Sequence, residues 1–259
     1  MAALPSVVLG FLAGLWLAPV LERTFPALIL MFLVLPLVVW LTGLAWNALP
    51  LALRGQFPSG SEIVLYLVVV VLGLVACFEL SPLFERLAFG GNFQSWLLAA
   101  TGLKYDQRNA VVVGLAMGFA VIPIIFAISE DAFSNVPRNL ISGSLALGAN
   151  RWQTVTRVVL PTASPGIFSA IMIGFGRAIG ETMIVLMATG NTPIMEMNAF
   201  NGFRTLSANI AVEIPEAPHR GTLYRTLFLA ALLLFALTFL VNTAAELVRQ
   251  RLRRKYAQL

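Results

Sequence analysis

The chain has 259 residues, of which 59% are hydrophobic and only 11% charged. A soluble domain carries about 25% charged residues, so the composition excludes an ordinary soluble enzyme or binding module and places the chain in the membrane class. The net charge of +5 gathers at the C-terminus, in Arg249, Arg251, Arg253, Arg254 and Lys255; this reads as the positive-inside bias of a cytoplasmic tail and not as a nucleic-acid surface.

One cysteine, Cys77, and one histidine, His219, exclude a disulfide framework and a protein-built zinc site. No metal and no cofactor is expected. Cys77 lies in an apolar run and reads as a small core residue. The N-terminus lacks a positively charged n-region and a clear small-residue cleavage site, so the first apolar run is expected to remain as a span.

Runs of about 20 apolar residues cross a bilayer as helices, and the pattern predicts an all-α, polytopic protein of about six spans. Leu4 to Leu21 is the first run, and Glu22 and Arg23 read as a tight polar connection. Ala27 to Leu49 is the second, with Pro36 inside it. A loop is expected around Arg54 to Gly60, and Ile63 to Leu80 is the third run. The segment from Ser81 to Asn109 is mixed. Its patch from Trp96 to Ala100 is too short to span and reads as a helix at the interface. Ala110 to Ile128 is the fourth run. Its Gly114 and Gly118, like Gly10 and Gly14 in the first run, have the spacing of close helix packing. A polar segment from Ser129 to Pro161 follows, then a fifth run from Ser164 or Pro165 to Thr189. Gly190 to Thr222 reads as a long loop and Leu223 to Ala245 as the sixth run. With the tail in the cytoplasm, six spans also place the N-terminus and the Ser129–Pro161 segment there. Arg138, Arg151 and Arg157 fit that placement, and the 190–222 loop falls outside. The first span is the weak point, since no positive charge precedes it.

Pro137 disfavours helix in the residue before it, so a short helix is expected from Arg138 to Leu147, with Leu140, Ser144 and Leu147 on one face. Gly148 and Ala149 loosen it. From Arg151, Trp152, Val155, Val158 and Val159 recur at helical spacing opposite Arg151, Gln153, Thr156 and Arg157. That predicts an amphipathic helix along the inner membrane surface, stopped by Pro161, with Pro165 opening the next span. The spacing resembles the cytoplasmic signature of ABC importer permeases, E-A-A-x-x-x-G, nine residues, then I-x-L-P. Gly148 takes the glycine position and Val158 to Pro161 the closing ones. The opening triplet falls on Ser142, Gly143 and Ser144, so the glutamate is missing. The resemblance implies a coupling helix, carried by Ser142, Gly143, Ser144, Ala146, Gly148 and Ala149, that docks in a groove of an ATP-hydrolysing subunit. The chain has no GxxxxGK[ST] phosphate loop, so a partner must supply the energy.

Inside the fifth run stands Gly176-Arg-Ala-Ile-Gly-Glu-Thr-Met183. Four apart on a helix, Arg177 and Glu181 share one face. A charge at mid-membrane costs roughly 2.5–3.5 kcal/mol on insertion scales, so both are expected to face a partner helix or a watery path. One reading is an internal ion pair that fixes packing. The other makes Arg177 an anion ligand, since its planar fork suits phosphate-like oxyanions. Glu181 then holds Arg177 until the anion arrives, and Thr182 adds a hydroxyl.

GRAIGETM is similar to the G-R-A-x-G-E-T segment of phosphate-specific ABC permeases. With the stretches from Tyr105, Ser144 and Gly190, the chain resembles the PstC type, in particular the C-terminal part of its longer variety. The resemblance implies a single permease domain over 1–259 of the MetI-like, type I importer fold: N-terminal spans and an outer segment over 1–104, a core over 105–259, and a coupling loop over 129–161. It implies a transport subunit of the bacterial cytoplasmic (inner) membrane, not an enzyme. Its partners are ATP-hydrolysing subunits, a second related permease or a copy of itself, an extracytoplasmic phosphate-binding protein and membrane lipid, but no nucleic acid. It puts the 191–220 loop, with Arg204 and Asn209, on the binding-protein side. Two alternatives stay open: an importer for another oxyanion such as sulfate or molybdate, and a transporter or channel driven by ion gradients.

Overall fold

In lipid the backbone must satisfy its own hydrogen bonds, which leaves apolar spans little choice but helix. The computed structural model describes residues 6–48, 50 and 60–256, with side chains through Arg251. It contains five helical runs long and apolar enough to cross a membrane: Ser6–Ala48, Ser61–Thr101, Ala110–Ser134, Arg151–Gly180 and Thr222–Arg251. No strand occurs among the described residues. The helices form two compact units. One holds the described residues of Met1–Trp16 together with Arg108–Leu259, the other Leu17–Gln107.

The expected count of six falls to five because the first two runs are one helix. α1 (Ser6–Leu12) passes through a π turn (Ala13–Leu17) into α2 (Ala18–Ala48), which continues through Pro26 and Pro36. Glu22 and Arg23 do not turn the chain. The Glu22 carboxylate accepts hydrogen bonds from Gln94 Nε2 at 2.7 Å and Gln107 Nε2 at 2.6 Å, so its charge is satisfied without leaving the helix. Sharing of the cytoplasmic side by both chain ends rests on six crossings, and five do not supply it.

In the second unit α2 packs on α3 (Ser61–Phe89), with Ala27, Met31 and Cys77 buried between them, as expected for Cys77. α3 runs past Leu80 and through Pro82 to Gly90, where a left-handed conformation (φ 66°) ends it. The short helix expected around Trp96 is present as α4 (Phe93–Thr101), capped by Asn92. Phe89 packs edge to face against Phe93 and Trp96 at its base. Of the loop expected around Arg54 to Gly60, only Gly60 lies within the described residues.

In the first unit α5 (Ala110–Ser134) starts at the fully buried Asn109, whose Oδ1 accepts the Val112 N–H at 3.1 Å. α6 (Arg138–Ala146) ends with Leu147, and Gly148 turns the chain at φ 88°. An Asn150–Gln153 capping box opens α7 (Arg151–Thr154). A π turn (Val155–Val159) then leads directly into α8 (Leu160–Gly180).

The expected stop at Pro161 is absent. The Leu160 N–H reaches back to Val155 O in the π turn. The Thr162 hydroxyl donates to Val158 O at 2.7 Å, and the Ser164 hydroxyl to Pro161 O at 2.8 Å. That last carbonyl is the one Pro165 leaves without its helical N–H partner. Hydroxyls of this kind are how membrane helices absorb proline. The amphipathic pattern reads differently too: Thr154 is buried, while Trp152 is 74% exposed. The chain closes with α9 (Met183–Ala188), α10 (Leu206–Glu213) and α11 (Thr222–Tyr256).

Candidate substrate path and coupling surface

α8 lies between α5 and α11. Its glycines set the register: a β-carbon on Gly174 would meet Val121 and Ile125 at 2.7 Å, and one on Gly176 would lie 3.2 Å from Asn242 Oδ1. Asn242 is far into α11, roughly 30 Å from its first residue at 1.5 Å per residue. The end of α8 at Gly180 is therefore level with the middle of α11, on an exposed face of this chain.

The helix breaks there. Glu181 is extended (φ −69°, ψ 127°), and α9 starts two residues later. The expected pairing of Arg177 with Glu181 on one helical face is thus not formed. Gly176 and Gly180 weaken the helix, and Glu181 has other work. Its Oε1 accepts the N–H groups of Met183 at 3.1 Å and Ile184 at 3.3 Å, two of the donors that a helix start leaves open. Its carbonyl accepts the Ser207 hydroxyl at 3.1 Å, and the Thr182 hydroxyl turns back to Gly180 O at 3.3 Å. Arg177 is exposed, with no ion pair to Glu181. A broken helix with an uncommitted guanidinium beside the break suits a passing anion. Discontinuous membrane helices place charge-binding backbone and side chains together in this way.

α9 is held from the other side by α1. A β-carbon on Gly10 would lie 2.8 Å from Met183 O, and one on Gly14 would lie 2.6 Å from Met187 O. The first glycine spacing is therefore a backbone-to-backbone contact, as expected of packing. The second, Gly114 and Gly118, meets nothing within 4 Å in this chain.

The segment after α9 is a folded polar knot and not an open loop. Asn198 Nδ2 donates to Asn201 Oδ1 at 2.9 Å, and Asn201 Nδ2 to Glu196 Oε2 at 2.8 Å. Asn201 O accepts the first N–H of α5, from Ala110, at 3.2 Å. Arg204 binds Asn191 Oδ1, Asn209 Oδ1 and Glu213 Oε1 within 3.1 Å, so Arg204 and Asn209 serve the knot itself. The sequence reading missed Asn198 and Asn201; the signal was the Asn-x-x-Asn-Gly cluster beside an apolar span.

On the other end, the residues assigned to coupling divide in two. Gly143, Ala146 and Gly148 are exposed, as is Ser142, whose hydroxyl bonds back to Arg138 O and Asn139 O. Ser144 and Ala149 face inward. The Ser144 hydroxyl meets that of Thr154 at 3.0 Å, and the Ala149 N–H donates to Ser144 O. Leu147 caps the helix and is 90% exposed, off the face shared by Leu140 and Ser144. α6 buries no side chain in this chain. It presents small residues and Leu145 outward.

The pattern of the binding-protein-dependent transport system inner membrane components matches residues 6–254. The phosphate transport system permease protein PstC 1 of Mycobacterium tuberculosis is 37% identical over 158 residues, 59% of this chain and 47% of that protein. The phosphate transport system permease protein PstC of Haemophilus influenzae is 28% identical over 242 residues, 89% of this chain and 74% of its own length. The phosphate transport system permease protein PstA 1 of Mycobacterium tuberculosis is 33% identical over 144 residues, 55% of this chain and 46% of that protein. The chain thus spans about half the length of the mycobacterial relatives it matches. No solved structure matches it significantly.

Proposed function

The chain belongs to the family of binding-protein-dependent transport system inner membrane components, and from that premise we propose that it is the permease subunit of an ATP-driven importer of inorganic phosphate. The observation that carries the reading is the broken helix at Gly180–Thr182, with Arg177 uncommitted beside it. The relatives named for phosphate transport support the choice of anion.

Similarity to both a PstC and a PstA protein supports a pairing with a second permease subunit. Separate ATP-hydrolysing subunits and an extracytoplasmic binding protein complete the assembly. The basic tail and α6 lie on the cytoplasmic side, and the polar knot lies outside. In this arrangement an ATPase subunit grips the exposed face of α6. Its motion passes through the Ser144–Thr154 hydroxyl contact to the base of a continuous 30-residue helix, Arg151–Gly180. That helix is about 45 Å long at 1.5 Å per residue, and it ends at Arg177 and the break. Arg177 offers its donor fork to the oxyanion. Glu181 and Thr182 shape the break, the carboxylate by holding the start of α9.

The test is uptake of labelled inorganic phosphate by vesicles containing the complete importer. ATP-dependent uptake that sulfate and molybdate do not compete away is expected. Uptake by this chain alone, indifferent to ATP, would instead mark a gradient-driven transporter.

A further inference from the structure

Between α8 and α11 lies a cleft of about 320 Å³, lined by Ser169, Met172 and Ile173 on one side and Asn242, Glu246 and Arg249 on the other. It starts under Gly176, whose missing side chain leaves Asn242 Oδ1 3.2 Å from the β-carbon position. Ile173, four residues before Arg177, lines it, so the stripe of α8 that carries Arg177 leads down into the cleft.

Three polar residues of α11 fall on one stripe. Asn242 and Glu246 are four apart, and Arg249 follows at three. Polar and ionisable groups of a membrane helix face other helices or water and not lipid. The cleft supplies that environment at the cytoplasmic end of an apolar run. Arg249 Nη2 donates to Glu246 Oε1 at 2.8 Å, and Gln250 Nε2 donates to the same oxygen at 3.0 Å. If Arg249 turned toward an anion, Glu246 would still have Gln250. Arg249 is therefore releasable without stranding a bare carboxylate.

We propose that this cleft is the inner half of the substrate path, in which Arg249 forms a second site for the tetrahedral oxyanion between Arg177 and the cytoplasm and Asn242 lines the way to it. This rests on the phosphate-permease reading. Asn242 is level with Gly176 and Arg249 lies seven residues further, about 10 Å along the helix. Two cationic sites at that spacing suit conduction, which needs binding strong enough to enter and weak or divided enough to leave. Glu246 weakens the grip of Arg249 on the anion and makes it an exit site. Arg249 binds substrate in this scheme, and Glu246 positions it.

The test uses the complete importer in inside-out vesicles. Asn242→Cys is exposed to a membrane-impermeant, positively charged thiol reagent, with the buried Cys77 left in place. Labelling is expected, slowed at least about fivefold by saturating inorganic phosphate. Arg249→Gln is expected to lower phosphate uptake at least about fivefold with ATP hydrolysis retained, and Arg249→Lys to recover part of the loss. With wild-type uptake intact, the inference is overturned by an unreactive Asn242→Cys, by labelling indifferent to phosphate, or by unchanged uptake in Arg249→Gln. A wild-type complex that carries no phosphate overturns the permease reading itself.

Discussion

The hydroxyls of Ser144 and Thr154 lie 3.0 Å apart, and they tie the short helix α6 to the base of the helix that ends beside Arg177. Thr154 is almost completely buried, so its hydroxyl depends on this partner more than an exposed one would. Thr154→Val keeps the shape and removes the bond, at a cost of about 0.5–1.5 kcal/mol. The expected outcome in the assembled importer is ATP hydrolysis near the wild-type rate with phosphate uptake reduced several-fold. Paired assays of the two rates check it, and equal loss of both would point to misfolding.

The glycines of the first π turn and of α5 make opposite predictions. Gly14→Val must push into the Met187 carbonyl, a backbone atom that cannot swing aside. Overpacking of this kind costs about 1–3 kcal/mol, so a lower melting temperature in detergent is expected. Gly118→Ala meets nothing in this chain and gains helix propensity, roughly 0.5–1 kcal/mol. Isolated protein should be as stable as wild type or slightly more so. A loss seen only in the assembled importer would locate a neighbouring subunit at that face.

Glu181 separates structure from charge. Glu181→Gln keeps an oxygen for the N–H groups of Met183 and Ile184, whereas Glu181→Ala removes it, at a cost of about 1 kcal/mol typical of a lost cap. Thermal unfolding should rank Ala below Gln and wild type. If the role is only to hold α9, Gln should transport nearly as well as Glu.

Most of the helical content was legible, because apolar length and the lipid's demand for internal hydrogen bonds leave few options. Gly148 was legible as a helix end, since its left-handed backbone favours glycine. So was the short helix around Trp96. Two boundaries were not. Glu22 looked like a turn because its partners, Gln94 and Gln107, are more than seventy residues away in sequence. Pro161 looked like a stop, yet it sits in the first turn of α8, where a missing N–H is tolerated; the π turn that puts it there is not visible in spacing.

At the candidate site, spacing singles out Gly176–Met183, but their arrangement was not readable. Spacing alone puts Arg177 and Glu181 on one face. The structure spends Glu181 on the start of α9, an alternative open to a carboxylate wherever a helix begins. The polar knot was hidden for a similar reason: an Asn-rich loop looks solvated until its side chains are seen to bind one another.

Arg204 tests that knot. Arg204→Met removes the donor shared by Asn191, Asn209 and Glu213 and leaves a half-buried carboxylate without its ion-pair partner. A cost of about 1–3 kcal/mol is expected, felt locally. Limited proteolysis in right-side-out vesicles should cut between 190 and 221 faster than in wild type, with the long helices still protected.

Whether Arg177 binds the passing anion is read from phosphate uptake by the reconstituted importer carrying Arg177→Ala. With assembly and ATP hydrolysis checked as normal, uptake is expected to fall at least tenfold, equivalent to about 1.4 kcal/mol or more, with partial recovery in Arg177→Lys. Uptake at the wild-type rate in a normally assembled Arg177→Ala complex would contradict the account.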